Sequence, residues 1–424
     1  MNERQRQPIV GHYGPWGVGG EVANGALLDE VFAGYLAAQA PAYHDNLLTQ
    51  ADRLAAHSTP AFREMTRAEV GVGMLVSHQE WRGVGRALDC YTSQRRPPRQ
   101  RIVGCHNWPP FANERDVAQT REVLDTFIAH NPSVPFAYCE GEETGLLRIG
   151  RLRKFVTDLA LKMTVWRTHG DIMLTNHDAD MVRLHPDNLR ASHDAFSHPP
   201  AGLPFVSITQ QVSHERSPNL PNMNQVLDWT DDARVVALAS NYYEPGPCWS
   251  ARAYMEEPFD PTDRYLETHN MLDRHHQGDA RLHPARLWLP HVPQVLSPRR
   301  PYYKLYVNAS RGSVAFWDGQ EEDFTMEDDY REHTAHDFGY WSDIADIARD
   351  EQLWYTGWRT LKDAAVAQVQ RHPDADPMFT LGRCFSRLQK LRRELGGPPG
   401  MFRDHLEEVA KHLRIVFPNG ASGG

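Results

Sequence analysis

The sequence predicts an α/β fold whose central sheet has parallel neighbouring strands. Between residues 101 and 177, short apolar runs alternate with longer amphipathic segments in the order strand, helix, strand, helix, strand. Each of the three apolar runs ends in polar side chains. The chain has 424 residues, of which 41% are hydrophobic, so it is long enough to bury a large core. Since ligands of such sheets bind beyond the carboxyl ends of the strands, these polar ends are the candidate site.

The elements follow one another in a regular order along this part of the chain. The first strand, RIVGCHNW, starts at Arg101, the last residue of SQRRPPRQR, a basic segment whose prolines indicate a domain boundary. It is followed by the helix ERDVAQTREVLDTFIAH, the strand VPFAYCEG, the helix GRLRKFVTDLALKMTVWRTH and the strand GDIMLTN. Further strands are predicted in FVSITQQV, ARVVALASNYY and RPYYKLYVNA.

Helical periodicity predicts two extensions around this core. Apolar residues spaced i, i+3, i+4 predict helices over residues 27–92, and three more helical segments follow residue 340. We therefore expect a mainly helical extension over 1–100, the α/β core over 101–310, and an acidic linker with a helical region over 311–424. The C-terminal helices would serve as a cap or as the contact of a homo-oligomer.

Composition excludes several classes of protein. The net charge of −10 argues against a general nucleic-acid binder, which needs a cationic surface. No apolar run reaches the ~18 residues of a membrane span, and the first residues lack the apolar segment of a secretory signal. Five cysteines without a C-x-x-C pair support neither a zinc knuckle nor a disulfide framework. A cytoplasmic location is the expectation.

The triplet Asp-Ala-Asp occurs twice, in two different settings. Asp374 and Asp376 lie between prolines and between two helical segments, which favours a linker or capping role. Asp178 and Asp180 instead follow the apolar strand IML. If the strand continues, residues i and i+2 point the same way, and two close carboxylates repel unless a cation lies between them. Hard oxygen ligands suit Mg²⁺ or Mn²⁺, although a solvated turn is the alternative.

These motifs, in this order, resemble a GT-A glycosyltransferase related to family 2, over residues 101 to about 303. The similar features are IVGCHN, the acidic FAYCEGEE, and GDIMLTNHDADM, a strand that runs into Asp-x-Asp. In YLETHNMLDRHHQG, Glu267 and Arg274 align with a Glu and an Arg of the family. The resemblance implies a Rossmann-like nucleotide-sugar-binding core and a metal-dependent transfer of a hexosyl group to an acceptor hydroxyl.

The resemblance also implies roles for particular residues. The metal, Mn²⁺ or Mg²⁺, would be held by Asp178, Asp180 and a late histidine, for which His291 is the first choice and His283 the second. Glu267 would be the general base. The basic residues Arg151, Lys154 and Lys162 share one helix face with Asp158 and could meet the diphosphate. The expected donor-binding residues are His106, Asn107, Glu140, Arg151, Lys154, Lys162, Asp178 and Arg274.

The sequence departs from the family at two places. His106 replaces the usual aromatic residue, and Thr268 stands where inverting members carry the aspartate base. The stereochemical outcome is therefore open. The donor is expected to be a UDP-sugar, with a GDP-sugar second, and the acceptor a small molecule or a glycan. Two alternatives stay open: a non-catalytic module that binds a nucleotide sugar, and a metal-dependent hydrolase built on Glu267, His269 and His275.

Overall fold

A computed structural model describes most of the first 300 residues. The described residues are 9–11, 26–110, 112–142, 149–198, 206–239, 248–256, 258–259, 285–298, 355, 356, 359, 363 and 367. The chain divides into two compact units, formed by residues 1–212, 245–295 and 417–424, and by residues 213–244 and 296–416. The predicted C-terminal helices and the strand RPYYKLYVNA lie almost wholly outside the described residues.

Nine strands of the described residues form one sheet. They are β1 (Ile9–Gly11), β2 (Val70–Ser77), β3 (Gln100–Trp108), β4 (Phe136–Glu142), β5 (Met173–Asp178), β6 (Met181–Leu184), β7 (Val206–His214), β8 (Cys248–Ser250) and β9 (Ala285–Leu296). The order is β1-β9-β7-β8-β5-β2-β3-β4, and β6 pairs with β9. Parallel pairing joins β4, β3, β2 and β5, whereas β8 is antiparallel to β5. The predicted α/β class, with parallel neighbours, is confirmed.

Nine α-helices are formed by the described residues. They are α1 (Leu28–Ala37), α2 (Pro41–Arg53), α3 (Pro60–Glu64), α4 (Val84–Thr92), α5 (Glu114–His130), α6 (Ile149–Thr164), α7 (Asn188–Ser197), α8 (Pro221–Ala239) and α9 (Ala251–Glu256). The start of α5 follows from its sequence, because the side chain of Asn113 accepts a hydrogen bond from the Arg115 amide. Among the described residues, no helix has the length and apolar character that crossing a bilayer requires.

Two segments differ from the sequence-based prediction. Helical periodicity predicts helices throughout residues 27–92, but Val70–Ser77 forms β2, which lies between β3 and β5. The sheet therefore begins before residue 101. The apolar run ARVVALA, predicted to be a strand, forms the C-terminal part of α8. A short apolar run fits either a strand or a buried helix, and here the helix that begins at Pro221 simply continues through it.

Glycines explain how α6 packs on β2. A Cβ at Gly73 would lie 2.3 Å from Asn176 Oδ1 and 3.3 Å from Val156 Cγ1. A Cβ at Gly71 would lie 2.9 Å from Leu174 Cδ2 and 3.0 Å from Thr164 Oγ1. The two glycines thus leave room for α6 and for the amide of Asn176 above the strand. They also weaken the strand pattern, which is why β2 is difficult to identify from sequence.

Gly73→Ala is expected to destabilise the protein by about 1–3 kcal/mol, because the added methyl group collides with the buried Asn176 amide. The measurement is the midpoint of thermal unfolding. Gly34→Ala is the matched control: a Cβ there meets nothing within 4 Å, and the residue is exposed in α1. Alanine stabilises a helix interior relative to glycine by roughly 0.5–1 kcal/mol. Equal midpoints for the two variants would contradict the packing argument.

A buried polar network joins the N-terminal helices to α6. Asp158 is fully buried, and its carboxylate accepts hydrogen bonds from three tyrosine hydroxyls and one ammonium group. The donors and their distances are Tyr35 at 2.9 Å, Tyr43 at 2.5 Å, Tyr254 at 2.7 Å and Lys154 Nζ at 2.5 Å. Burial, together with the negative charge of Asp158, raises the pKa of Tyr35 and Tyr43. The hydroxyls therefore stay protonated and donate.

The second unit contains a buried polar cluster of its own. His214 Nδ1 lies 2.6 Å from Asp231 Oδ1, and both side chains are buried. Arg216 Nη2 donates to Asp231 Oδ2 at 2.8 Å and to Asp228 Oδ1 at 2.7 Å. Each buried charge in this cluster thus has a partner, as a folded interior requires.

Candidate active site

The candidate site lies at the carboxyl ends of four parallel strands. In the strand register, Asp178 of β5 pairs with Leu75 of β2, and the next β2 residue, Val76, pairs with His106 of β3. His106 in turn pairs with Glu140 of β4. The polar residues that end β3, β4 and β5 therefore lie at one edge of the sheet, although β5 and β3 are separated by β2. This is the edge at which α/β sheets bind ligands.

The first Asp-Ala-Asp triplet lies in the turn between β5 and β6. Asp178 is the last residue of β5, whereas Ala179 and Asp180 form the turn before Met181. The expectation that both carboxylates project from one side of an extended strand is therefore wrong for Asp180. Ala179 is buried, and both aspartates are partly exposed. The turn still places the two carboxyl groups two residues apart at the tip of the sheet.

Arg153 of α6 is the direct partner of Asp178, and the sequence analysis missed it. Its Nη2 atom donates to Asp178 Oδ1 at 2.6 Å. The Arg153 side chain is 10% exposed and that of Asp178 is 34% exposed. Arg153 lies outside the helix face that carries Arg151, Lys154 and Lys162, from which the donor contacts were predicted. Its proximity depends on how α6 crosses the sheet, so no spacing within the helix could have revealed it.

Two neighbouring contacts between α6 and β5 fix the position of Arg153 relative to Asp178. Arg153 and Thr157 lie one helical turn apart, and Asn176 and Asp178 lie on one face of the strand. Asn176 Nδ2 donates to Thr157 Oγ1 at 2.9 Å. This contact lies next to the one between Arg153 and Asp178, on the side away from the carboxyl end of β5. The buried amide thus fixes the height of α6 relative to the tip of β5.

The predicted basic face of α6 is divided between solvent and core. Arg151 is exposed near the start of α6, so it stays a candidate for contact with phosphate. Lys162 is partly exposed, but it lies roughly 14 Å further along the helix than Arg153, where Ala160 and Thr164 pack against Gly71 at the start of β2. It is therefore at the opposite end of the strands from Asp178, and its placement differs from the predicted donor contact. Lys154 is buried, and its ammonium group is bonded to Asp158 and to the Tyr35 hydroxyl at 2.7 Å. This placement differs from the predicted donor contact, because the ammonium group already neutralises a buried carboxylate. We therefore leave Lys154 out of the proposed donor site.

A second cluster surrounds Glu140 at the ends of β3 and β4. His106 Nδ1 lies 3.1 Å from Glu140 Oε1, and Arg121 Nε of α5 donates to the same oxygen at 2.7 Å. Partial burial raises the pKa of Glu140, but the hydrogen bonds from His106 and Arg121 outweigh it and lower that pKa to about 2. Glu140 is therefore ionised near neutral pH. Asn107 Nδ2 lies 3.4 Å from the Gly141 carbonyl oxygen, so it is close to the same cluster.

Histidine 177, beside Asp178, faces the opposite side of the sheet. It is buried, and its Nδ1 atom lies 2.7 Å from the Tyr91 hydroxyl of α4. Burial lowers the pKa of His177 to about 4. The imidazole is therefore neutral at pH 7, and it supports the tip of β5 from the face opposite to Arg153.

Several residues of the predicted site lie outside the part of the chain that the structure describes. Glu267, Thr268, Arg274 and His283 lie in the segment 260–284, and Asp374 and Asp376 lie near the C-terminus. His291 belongs to β9, but its side chain is not described. Among the side chains that are described, no group of three or more His, Cys, Asp or Glu could hold a metal ion.

The donor set nevertheless fits a divalent cation that completes its shell with phosphate and water. Asp178 and Asp180 offer hard carboxylate oxygens at a partly exposed turn. Mg²⁺ usually takes one or two carboxylates from the protein and fills its other positions with water and substrate phosphate. Two carboxylates are therefore sufficient on the protein side for such an ion.

No protein-family model matches the chain, and no curated protein matches it. Among solved structures, one similar protein is the mannosyltransferase PcManGT from Pyrobaculum calidifontis in complex with GDP-Man and Mn2+. The TM-score is 0.37 and the sequence identity is 13%, and the match covers 92% of this chain and 97% of that chain. Another is S. aureus TarS 1-349 in complex with UDP, with a TM-score of 0.34 and 13% identity, covering 58% of this chain and 65% of that chain. Both TM-scores are below 0.5, so neither similarity assigns a function to this chain.

Proposed function

We propose that the protein is a metal-dependent glycosyltransferase that moves a hexosyl group from a nucleotide-diphosphate sugar to an acceptor hydroxyl. The observation that carries this proposal is the placement of Asp178 and Asp180 at the carboxyl edge of the parallel strands, the same edge at which the Glu140 cluster lies, with β2 and β3 between them. A nucleotide sugar is a polar nucleoside joined to an anionic diphosphate. The turn that carries Asp178 and Asp180 suits a cation-bound diphosphate, and the Glu140 cluster suits the nucleoside.

In this proposal Asp178 and Asp180 hold Mn²⁺ or Mg²⁺, with His291 as a third ligand. When bound, the cation neutralises the negative charge that develops on the departing diphosphate. Arg151 on α6, together with Arg274, contributes further positive charge to the same group. The exposure of Arg151 near the start of α6, close to Arg153, supports this role.

The nucleoside half of the donor is assigned to the residues around Glu140. Both described hydrogen bonds to Glu140 end on Oε1, so Oε2 can accept a hydrogen bond from the ribose or the base. His106 and Arg121 keep the carboxylate ionised and oriented, and Asn107 borders it. A carboxylate that is already oriented binds hydroxyl groups without further loss of side-chain freedom.

Activation of the acceptor is assigned to Glu267, as the general base that takes the proton from the acceptor hydroxyl. UDP is the favoured nucleotide and GDP the second. The acceptor is a small molecule or a glycan. A non-catalytic module would bind the same donor and leave it intact, whereas a hydrolase built on Glu267, His269 and His275 would bind a metal without a nucleotide.

Thermal unfolding in the presence of nucleotides tests the proposal. UDP or GDP with Mn²⁺ is expected to raise the unfolding midpoint, whereas either nucleotide without metal should raise it much less. Ligand at about 100 times its dissociation constant stabilises by roughly 2.7 kcal/mol. Asp178→Asn should remove the metal-dependent part of the shift. A midpoint that no nucleoside diphosphate moves, with or without Mn²⁺, would contradict donor binding. Donor binding without sugar transfer to any acceptor would favour the non-catalytic module.

A further inference from the structure

The contact between Arg153 and Asp178 joins a buried cation to a carboxylate that solvent can reach. The guanidinium group belongs to a side chain that is only 10% exposed, and the bond to Asp178 Oδ1 measures 2.6 Å. A buried positive charge needs a negative partner nearby, because leaving it unpaired costs several kcal/mol. In the structure as described, Asp178 meets that need.

A divalent cation at Asp178 would compete with this bond. The cation and the guanidinium group both seek the oxygens of one carboxylate, and they repel each other across a few ångströms of partly desolvated protein. Arg153 must therefore give up all or part of its bond to Asp178, or a second anion must join the group. The diphosphate of a donor is such an anion, and the planar guanidinium fork matches phosphate oxygens.

The contacts around Arg153 hold its backbone in place, so only its side chain can move when a cation binds at Asp178. One turn further along α6, Thr157 is bonded to the buried Asn176 of β5 at 2.9 Å. The neighbouring Lys154 is bonded to the fully buried Asp158. Both contacts hold the backbone of α6 against the sheet and the N-terminal helices. The guanidinium group can then move only by rotation of the side chain, within reach of the tip of β5.

We propose that Arg153 is the counter-ion that Asp178 releases when a divalent cation binds, and that Arg153 then binds the donor diphosphate. This inference rests on the proposed metal site at Asp178. Its consequence is that metal and nucleotide bind cooperatively. Before the nucleotide arrives, Arg153 weakens metal binding, and afterwards it strengthens nucleotide binding. Because coupling is reciprocal, the nucleotide must tighten metal binding by the same factor as the metal tightens nucleotide binding.

The test measures binding of Mn²⁺ alone, and then of UDP and GDP in the presence of Mn²⁺, by calorimetry on the full chain. Arg153→Gln should bind Mn²⁺ alone about tenfold more tightly than the wild type, and nucleotide with Mn²⁺ about tenfold more weakly. Arg153→Lys keeps the charge, so its affinity for Mn²⁺ alone should stay close to that of the wild type. Arg95→Gln is the matched control, because exposed Arg95 forms its ion pair with Asp187.

The outcomes separate this inference from the proposed function. If Asp178→Asn loses Mn²⁺ binding while Arg153→Gln binds Mn²⁺ as the wild type does, the role of Arg153 is overturned and the metal site stands. If Asp178→Asn keeps the wild-type affinity for Mn²⁺, the metal site fails and the role of Arg153 fails with it. Thermal unfolding of each variant checks that it is folded. Should Arg153→Gln not fold, Arg153→Lys provides the test, because its ammonium group keeps the charge but lacks the planar fork. A smaller ratio of Mn²⁺ affinities with and without nucleotide in Arg153→Lys supports the inference, and an unchanged ratio contradicts it.

Discussion

Asp158→Asn is expected to lower the midpoint of thermal unfolding by about 6–20 °C. The carboxylate is fully buried and neutralises Lys154, so the amide would leave a buried ammonium group without a negative partner. Breaking a buried ion pair in this way costs about 3–5 kcal/mol. Each kcal/mol lowers the midpoint by roughly 2–4 °C in a domain of 150–250 residues. The three tyrosine hydroxyls would also lose a charged acceptor.

The matched control is Asp194→Asn on α7. Asp194 is exposed, and its distance to Arg190 is 3.7 Å. An exposed pair of this kind contributes ~0–1 kcal/mol, so the midpoint should hardly move. If Asp158→Asn and Asp194→Asn unfold at the same temperature, the network does not hold the N-terminal helices on α6. The double variant Asp158→Asn with Lys154→Met should recover part of the loss, because it removes the unpaired charge.

Asp178→Asn and Asp180→Asn are each expected to reduce sugar transfer by about a hundredfold or more, because they weaken the electrostatic stabilisation of the leaving diphosphate. The measurement is the rate of donor consumption with a fixed acceptor. Both residues are partly exposed at a turn, so the fold should persist, as circular dichroism can verify. Asparagine keeps the size of the side chain and removes only the charge, which makes the comparison electrostatic.

Asp374→Ala and Asp376→Ala provide the control from the second Asp-Ala-Asp triplet. They should leave the transfer rate nearly unchanged, because that triplet lies between prolines rather than after a strand of the sheet. A large loss of activity in these variants without unfolding, together with unchanged activity in the Asp178 and Asp180 variants, would mean that the other triplet is the functional one.

The sequence by itself determined the α/β class and the row of polar strand ends. Alternating apolar runs and amphipathic segments correctly predicted β3, α5, β4, α6 and β5, because these elements are long and their periodicity is clear. Polar residues at the ends of parallel strands must share one edge of the sheet, so the neighbourhood of His106 and Glu140 was accessible from sequence. Their bond at 3.1 Å agrees with that expectation.

Only the tertiary structure decided the position of β2, the role of Lys154 and the partner of Asp178. The glycines of β2 weaken its strand pattern, and their purpose becomes visible only when α6 lies against them. Lys154 and Arg153 are adjacent in sequence, yet one is bonded to Asp158 and the other to Asp178. Neighbouring residues of a helix point about 100° apart, so their environments depend on which surfaces the helix meets. That packing is set by contacts between distant segments, which no local spacing records.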